Sequence, residues 1–271
     1  MTGAEMIVFA AIYVTAGVMS GLLAGLLGVG GGIIIVPVLF QTYIFMGLPE
    51  DVQMHLAVGS SLAVIVVTAI QSARAHHAKG AVDFDIMRLW GPAIIFGVAC
   101  GAGAARFLTA DNLKFIFGIL SLCVAIHLNM PARHHVDRSL PSKNSQRGLA
   151  AVIGFFSSLM GIGGGTFSVA ALSFFGKPIH QAVGTSAALG FFVALPGALG
   201  FMLAGYGVTT LPPWSVGYVN FLAVACLMPI SALVAPLGAR LAHRFTRTGL
   251  ERAFSLFLVL TAIRMFWSMF G

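Results

Sequence analysis

Residues 21 to 39 read GLLAGLLGVGGGIIIVPVL and residues 154 to 172 read GFFSSLMGIGGGTFSVAAL, with the central glycines in register at an offset of 133. A chain written this way must fold as two like units. Further blocks extend the match: HLAVGSSLA from His55 returns as HQAVGTSAA from His180, and then Pro92, Gly101, Leu113 and Ile126 pair with Pro229, Gly238, Leu250 and Ile263. The halves run over 5–130 and 148–270, and the polar stretch 131–147, PARHHVDRSLPSKNSQR from Pro131, joins them.

The solvent for those units follows from charge. Only 8% of the 271 residues are charged and 58% are hydrophobic, against roughly a quarter charged in a soluble domain. Lipid is therefore the outer solvent, and a soluble enzyme and a disordered chain are both excluded. Apolar runs fall near 6–28, 31–46, 56–73, 89–107 and 112–130, and again near 148–162, 164–176, 182–205, 214–240 and 250–269. In each half the second run is short and follows the first across a glycine cluster. The expected fold is an all-α polytopic membrane protein, each half a glycine-broken helical hairpin followed by three transmembrane helices.

The net charge of +7 would point to nucleic acid on a soluble protein, but here it reads as cytoplasmic loop bias. With the 131–147 linker cytoplasmic, 12 Lys and Arg residues fall on that side, and only Arg106, Lys114 and Arg264 fall outside. Each half then crosses the bilayer an odd number of times, which makes the halves inverted repeats, the common design of secondary transporters. Met1 to Met6 contains Glu5 and no Lys or Arg, so the first run reads as a retained membrane helix rather than a signal peptide.

Glycine runs weaken a helix by about 1 kcal/mol per residue relative to alanine, so Gly28, Gly30, Gly31 and Gly32, and Gly161, Gly163, Gly164 and Gly165, should interrupt one. Amides at such a break, at Ile33 and Thr166, carry partial positive charge and suit an anion. Glycine also permits close helix packing; its repetition at matching positions favours a site. No Lys follows either cluster, which discards a phosphate loop. Hydroxyls of Ser60 and Ser61, matched by Thr185 and Ser186, offer donors to sulfonate or carboxylate oxygens, or else bond back to their own helices. His55, His180 and Gln181 are further polar candidates, each histidine beginning a helix.

All eight acidic residues fall in expected loops or at helix ends. A cation carrier usually keeps an acid within the membrane, so the substrate is anionic or neutral. Cys100, Cys123 and Cys226 have no paired spacing and read as small buried residues. No metal site, cofactor motif or catalytic constellation is present, so the chain is not read as an enzyme. A transporter and an anion channel remain the two readings, and neither oligomeric state nor the anion follows from the sequence.

The doubled glycine motif, each copy followed by an H-x-A-V-G-[ST]-S block, resembles the sulfite exporter TauE/SafE family of bacterial membrane permeases over nearly the whole chain. The resemblance implies an inner-membrane carrier of small sulfur-containing or organic anions such as sulfite, sulfoacetate or other sulfonates. Ile33 stands where the second half has Thr166, so the two clusters are not expected to meet substrate identically.

Overall fold

A computed structural model describes residues 3–27, 31–129, 140–241 and 247–270. Gly28, Gly30, the linker segment 131–139 and Arg244 lie outside the described residues. The first half carries α1 (Gly3–Leu27), α2 (Gly32–Phe45), α3 (Glu50–His77), α4 (Phe84–Ala105) and α5 (Ala110–Asn129). The second carries α6 (Lys143–Met160), α7 (Gly165–Phe174), α8 (Ile179–Ala204), α9 (Phe221–Leu241) and α10 (Arg247–Phe270). Five segments are long and apolar enough to cross a membrane: α3, α4, α5, α8 and Phe221–Gly238 of α9. The protein is thus an all-α, multi-pass membrane protein whose halves repeat one order of elements.

Packing repeats as well. α1 lies on α9 and α6 on α4, so the first helix of each half packs on the fourth helix of the other. Matching glycines make both seams: a Cβ at Gly154 would overlap the Ile94 carbonyl, and one at Gly21 would overlap the Ser231 carbonyl. Small residues let backbones approach where lipid supplies no hydrophobic drive. Both seams run parallel, Gly17 meeting Ile230 and Gly21 meeting Val234.

The third helices, α3 and α8, pack on each other in the opposite sense. Gly190 faces Ala69, and seven residues further along α8, Gly197 faces Leu62, seven residues back along α3. The fifth helices are antiparallel too, since Lys114 reaches the Ser268 carbonyl at one end of α5 and Asn129 reaches Ser255 at the other.

Three local features depart from sequence expectation. A two-stranded hairpin, β1 (Ser215–Val216) with β2 (Val219–Asn220), precedes α9 and turns through Gly217 at φ 52°. Four residues with alternating side chains are too few to show as a strand pattern. The three cysteines are exposed on the outside of the bundle rather than buried; against lipid, exposure costs an apolar thiol nothing. Lys114, placed among the loop charges by sequence, is 2% exposed. Its Nζ bonds Asp111 at 2.9 Å and stands 5.6 Å from the Phe40 ring centre.

Candidate functional site

Both glycine clusters break the helix where the sequence places the break. Gly31 at φ 75° precedes α2, and Gly164 at φ 69° precedes α7. Left-handed backbone is cheap only for glycine, so each cluster ends one helix and aims the next without strain. The last turn of α1 ends beside α3, where the Ser72 hydroxyl donates to the Ala24 carbonyl and His76 Nε2 lies 3.4 Å from the Gly25 carbonyl. These two residues meet carbonyls that a broken helix leaves without intrahelical partners. Sequence reading does not find this role, because the partners lie about 50 residues away.

The two breaks touch. A Cβ on Gly32 would overlap the Gly161 carbonyl oxygen and stand 2.9 Å from Ser61 Oγ. The Ser61 hydroxyl donates to that same carbonyl at 2.8 Å. Gly161 in turn lies against Val36 and Val58, so one carbonyl of the second break is held between α2 and α3 of the first half. Gly163 presents its carbonyl to Gly190 on α8.

The H-x-A-V-G-[ST]-S blocks dock the two halves. A Cβ on Gly59 would overlap the Tyr218 carbonyl, and one on Gly184 would overlap the Ala81 carbonyl. One residue on, Ser60 Oγ accepts the Asn220 amide and Thr185 Oγ1 accepts the Asp83 amide, both at 2.9 Å. Asp83 and Asn220 occupy matching positions, and each carboxyl or amide oxygen caps the following helix, α4 through Asp85 and Ile86 and α9 through Ala223. Glycine thus admits a loop backbone from the opposite half, and the next hydroxyl binds the amide that starts that half's fourth helix. On one face only, Lys177 joins Asp83 at 2.8 Å. Partial burial opposes ionisation of Asp83, but the Lys177 bond and charge and the Ile86 and Asp85 amides outweigh it and lower its pKa.

The second hydroxyls of the two blocks differ between halves. Ser61 is bonded to Gly161, whereas Ser186 is fully buried and has no hydrogen-bond partner among the described residues. Ser157, Thr166 and Ser168 are likewise buried and unpartnered. Thr166 and Ser186 were sequence candidates; Ser157 and Ser168 were not, because a lone serine in an apolar run ordinarily bonds its own helix.

The histidines stand apart from the breaks. His55 lies in the second turn of α3 rather than at its start, 3% exposed, with its ring 4.7 Å from that of Tyr218. Its Nε2 faces the carbonyls of Ala105 and Leu108 at 3.0 and 3.1 Å, and Nδ1 lies 3.2 Å from the Asp51 carbonyl. Through these carbonyls the ring ties α3 to the end of α4 and the residues after it. His180 and Gln181 are exposed at the start of α8.

Each acid whose side chain is described caps a helix or lies in its first turn: Glu50 and Asp51 on α3, Asp83 and Asp85 on α4, Asp111 on α5. None stands among the described residues at the level of the breaks, where bare helix N-termini and hydroxyls leave a positive, donor-rich surface.

The family model of the sulfite exporter TauE/SafE proteins matches residues 13–265. A probable membrane transporter protein of Haemophilus influenzae is 34% identical over 96% of this chain and 99% of its own. Probable membrane transporter proteins of Methanocaldococcus jannaschii and Bacillus subtilis are 27% and 26% identical, over 83% and 94% of this chain and 83% and 97% of theirs. No solved structure matches.

Proposed function

The chain belongs to the sulfite exporter TauE/SafE family, and from that premise we propose that this membrane transporter exports a small sulfur-containing or organic anion, sulfite, sulfoacetate or another sulfonate, by alternating access. The observation that carries the reading is the meeting of the two glycine breaks at Gly32 and Gly161, beside buried unpartnered hydroxyls and away from every described acid. The substrate site lies where the breaks meet and involves Gly31, Gly32, Gly163, Gly164, Gly165, Thr166 and Ser186, while Ser61, bonded to the Gly161 carbonyl, holds the two breaks together. Backbone amides and hydroxyls supply the donors, so an anion is bound without a fixed cation that would hold it too tightly to release.

The halves 5–130 and 148–270 are the two repeats, and they are inverted. What supports this reading is that α3 and α8, and α5 and α10, the pairs such a two-fold would exchange, pack antiparallel, as an axis in the membrane plane requires. Loop charge supports a cytoplasmic linker in the bacterial inner membrane. With the inside negative, outward movement of one negative charge gains about 2.3 kcal/mol per 100 mV, which favours export of an anion.

Reconstituted into liposomes, the protein is expected to move sulfite or a sulfonate saturably and to exchange internal for external anion. A panel of sulfite, sulfoacetate, taurine, sulfate and short carboxylates identifies the class, taurine separating sulfonate shape from net charge. Continuous current without counter-exchange would replace the carrier by an anion channel; no movement of any of these anions would overturn the reading.

A further inference from the structure

Hydroxyls in apolar helices ordinarily bond the carbonyl one turn back, as Thr15 does to Ala11, Thr42 to Val38 and Ser158 to Phe155. Ser157, Thr166, Ser168 and Ser186 do not, although each is at least nine-tenths buried. All four belong to the second half, on the last turn of α6, the first turn of α7 and the third turn of α8, while the other two buried hydroxyls without a partner among the described residues, Tyr43 and Ser121, lie in the last turn of α2 and the middle of α5, away from the first break. A buried hydroxyl without a partner costs about 1–3 kcal/mol, and all four lie on the elements that flank the second break.

Their setting is the N-terminus of α7, a helix of 10 residues capped by left-handed Gly164 with no side-chain cap. The Ser157 hydroxyl oxygen lies 3.6 Å from the position a Cβ on Gly164 would take, beside that terminus. The Gly164 carbonyl is occupied by the Ser168 amide, while the amides of the first turn have no carbonyl of their own helix to meet. Bare amides, the positive end of the helix and rotatable hydroxyls together match an oxyanion's three or four oxygens.

The first half has no such set. At the offset of 133, Ser157, Thr166 and Ser168 answer to Ala24, Ile33 and Ile35, each fully buried and apolar. Ser61, which answers to Ser186, is spent on the Gly161 carbonyl. The repeat therefore places a polar break and an apolar break against each other.

We propose that the transported anion is held by the second half alone, at the start of α7, by the hydroxyls of Ser157, Thr166 and Ser186 with the first-turn amides, and that the first break serves as its apolar wall; Ser168, two residues from Thr166 on α7, faces away from it. The assignment rests on the anion-transport reading above and adds to it which half binds. Rotating the three hydroxyls toward a bound oxyanion satisfies them together, so occupancy should order this break in particular.

The experiment measures sulfite flux in proteoliposomes and sulfite-dependent thermal protection of the purified protein for Ser186→Ala, Thr166→Val and Ser157→Ala, with Ser61→Ala as the first-half counterpart. Removing an unpartnered hydroxyl leaves nothing unbonded, so the second-half variants are expected to melt at or above the wild-type temperature while KM rises about tenfold or more. Ser61→Ala, which breaks its bond to Gly161, is expected to melt lower with KM within about twofold. Unchanged KM in the second-half variants, or a raised KM in Ser61→Ala alone, overturns the assignment while leaving anion transport standing. Wild-type protein that neither moves nor is protected by sulfite or any other anion of the panel overturns both.

Discussion

Gly59→Ala tests whether the H-x-A-V-G-[ST]-S block docks the halves or contacts the substrate. The added methyl would overlap the Tyr218 carbonyl oxygen and press the Phe201 Cβ at 3.0 Å. The obstacle is backbone, so relief requires the loop before α9 to move outward. Overpacking of this kind costs about 1–3 kcal/mol. The same movement stretches the 2.9 Å bond from the Asn220 amide to Ser60, worth about 1 kcal/mol. Alanine returns about 1 kcal/mol in helix propensity, leaving a net loss of about 1–3 kcal/mol. At roughly 2–4 °C per kcal/mol for chains of this size, the melting temperature should fall by about 2–12 °C. Helical circular dichroism in one detergent is the suitable readout, because exposed Cys100, Cys123 and Cys226 would react with a thiol dye before unfolding. Gly103→Ala in α4 is the control, since nothing lies within 4 Å of a Cβ there; its melting temperature should hold or rise. The surviving folded fraction of Gly59→Ala should transport with unchanged KM. Equal melting of the two variants together with a raised KM for Gly59→Ala would refute the docking account and return the block to the substrate.

Other expectations follow from the same geometry. His55→Ala strands the carbonyls of Ala105 and Leu108 in a buried position and should lower the melting temperature by an amount corresponding to about 2–4 kcal/mol, without altering the pH profile of flux; a changed profile would identify a proton relay instead. Asp83 ionises below its usual range, because Lys177 and two helix amides outweigh the cost of partial burial. A group with a depressed folded pKa stabilises above its unfolded pKa and loses that contribution as pH falls through the folded one. Melting temperature should therefore decline on acidification below the ordinary carboxylate range, and Asp83→Asn, which copies Asn220 of the other half, should flatten that decline. A cysteine at Ser142 should be labelled by an impermeant reagent in inverted vesicles and be spared in intact cells; the reverse pattern would turn the protein over in the membrane.

The sequence alone determined what repeats locally. Lipid as solvent, the helical runs, their duplication and the break at each glycine cluster all follow from the order of apolar residues and from the ease with which glycine takes positive φ. The left-handed backbone at Gly31 and Gly164 stands where the clusters predict it. What the sequence left open was the partner of each polar group, because those partners come from the other half. Ser60 and Ser61 are adjacent and chemically alike, yet one accepts the Asn220 amide and the other donates to Gly161. Thr185 and Ser186 sit in the matching block, yet only Thr185 finds a partner. Ser157 and Ser168 looked like ordinary helix serines until packing left them buried and unbonded. A hydroxyl's role is set by what approaches within hydrogen-bond distance, and in this chain that is decided by residues about 100 or more positions away.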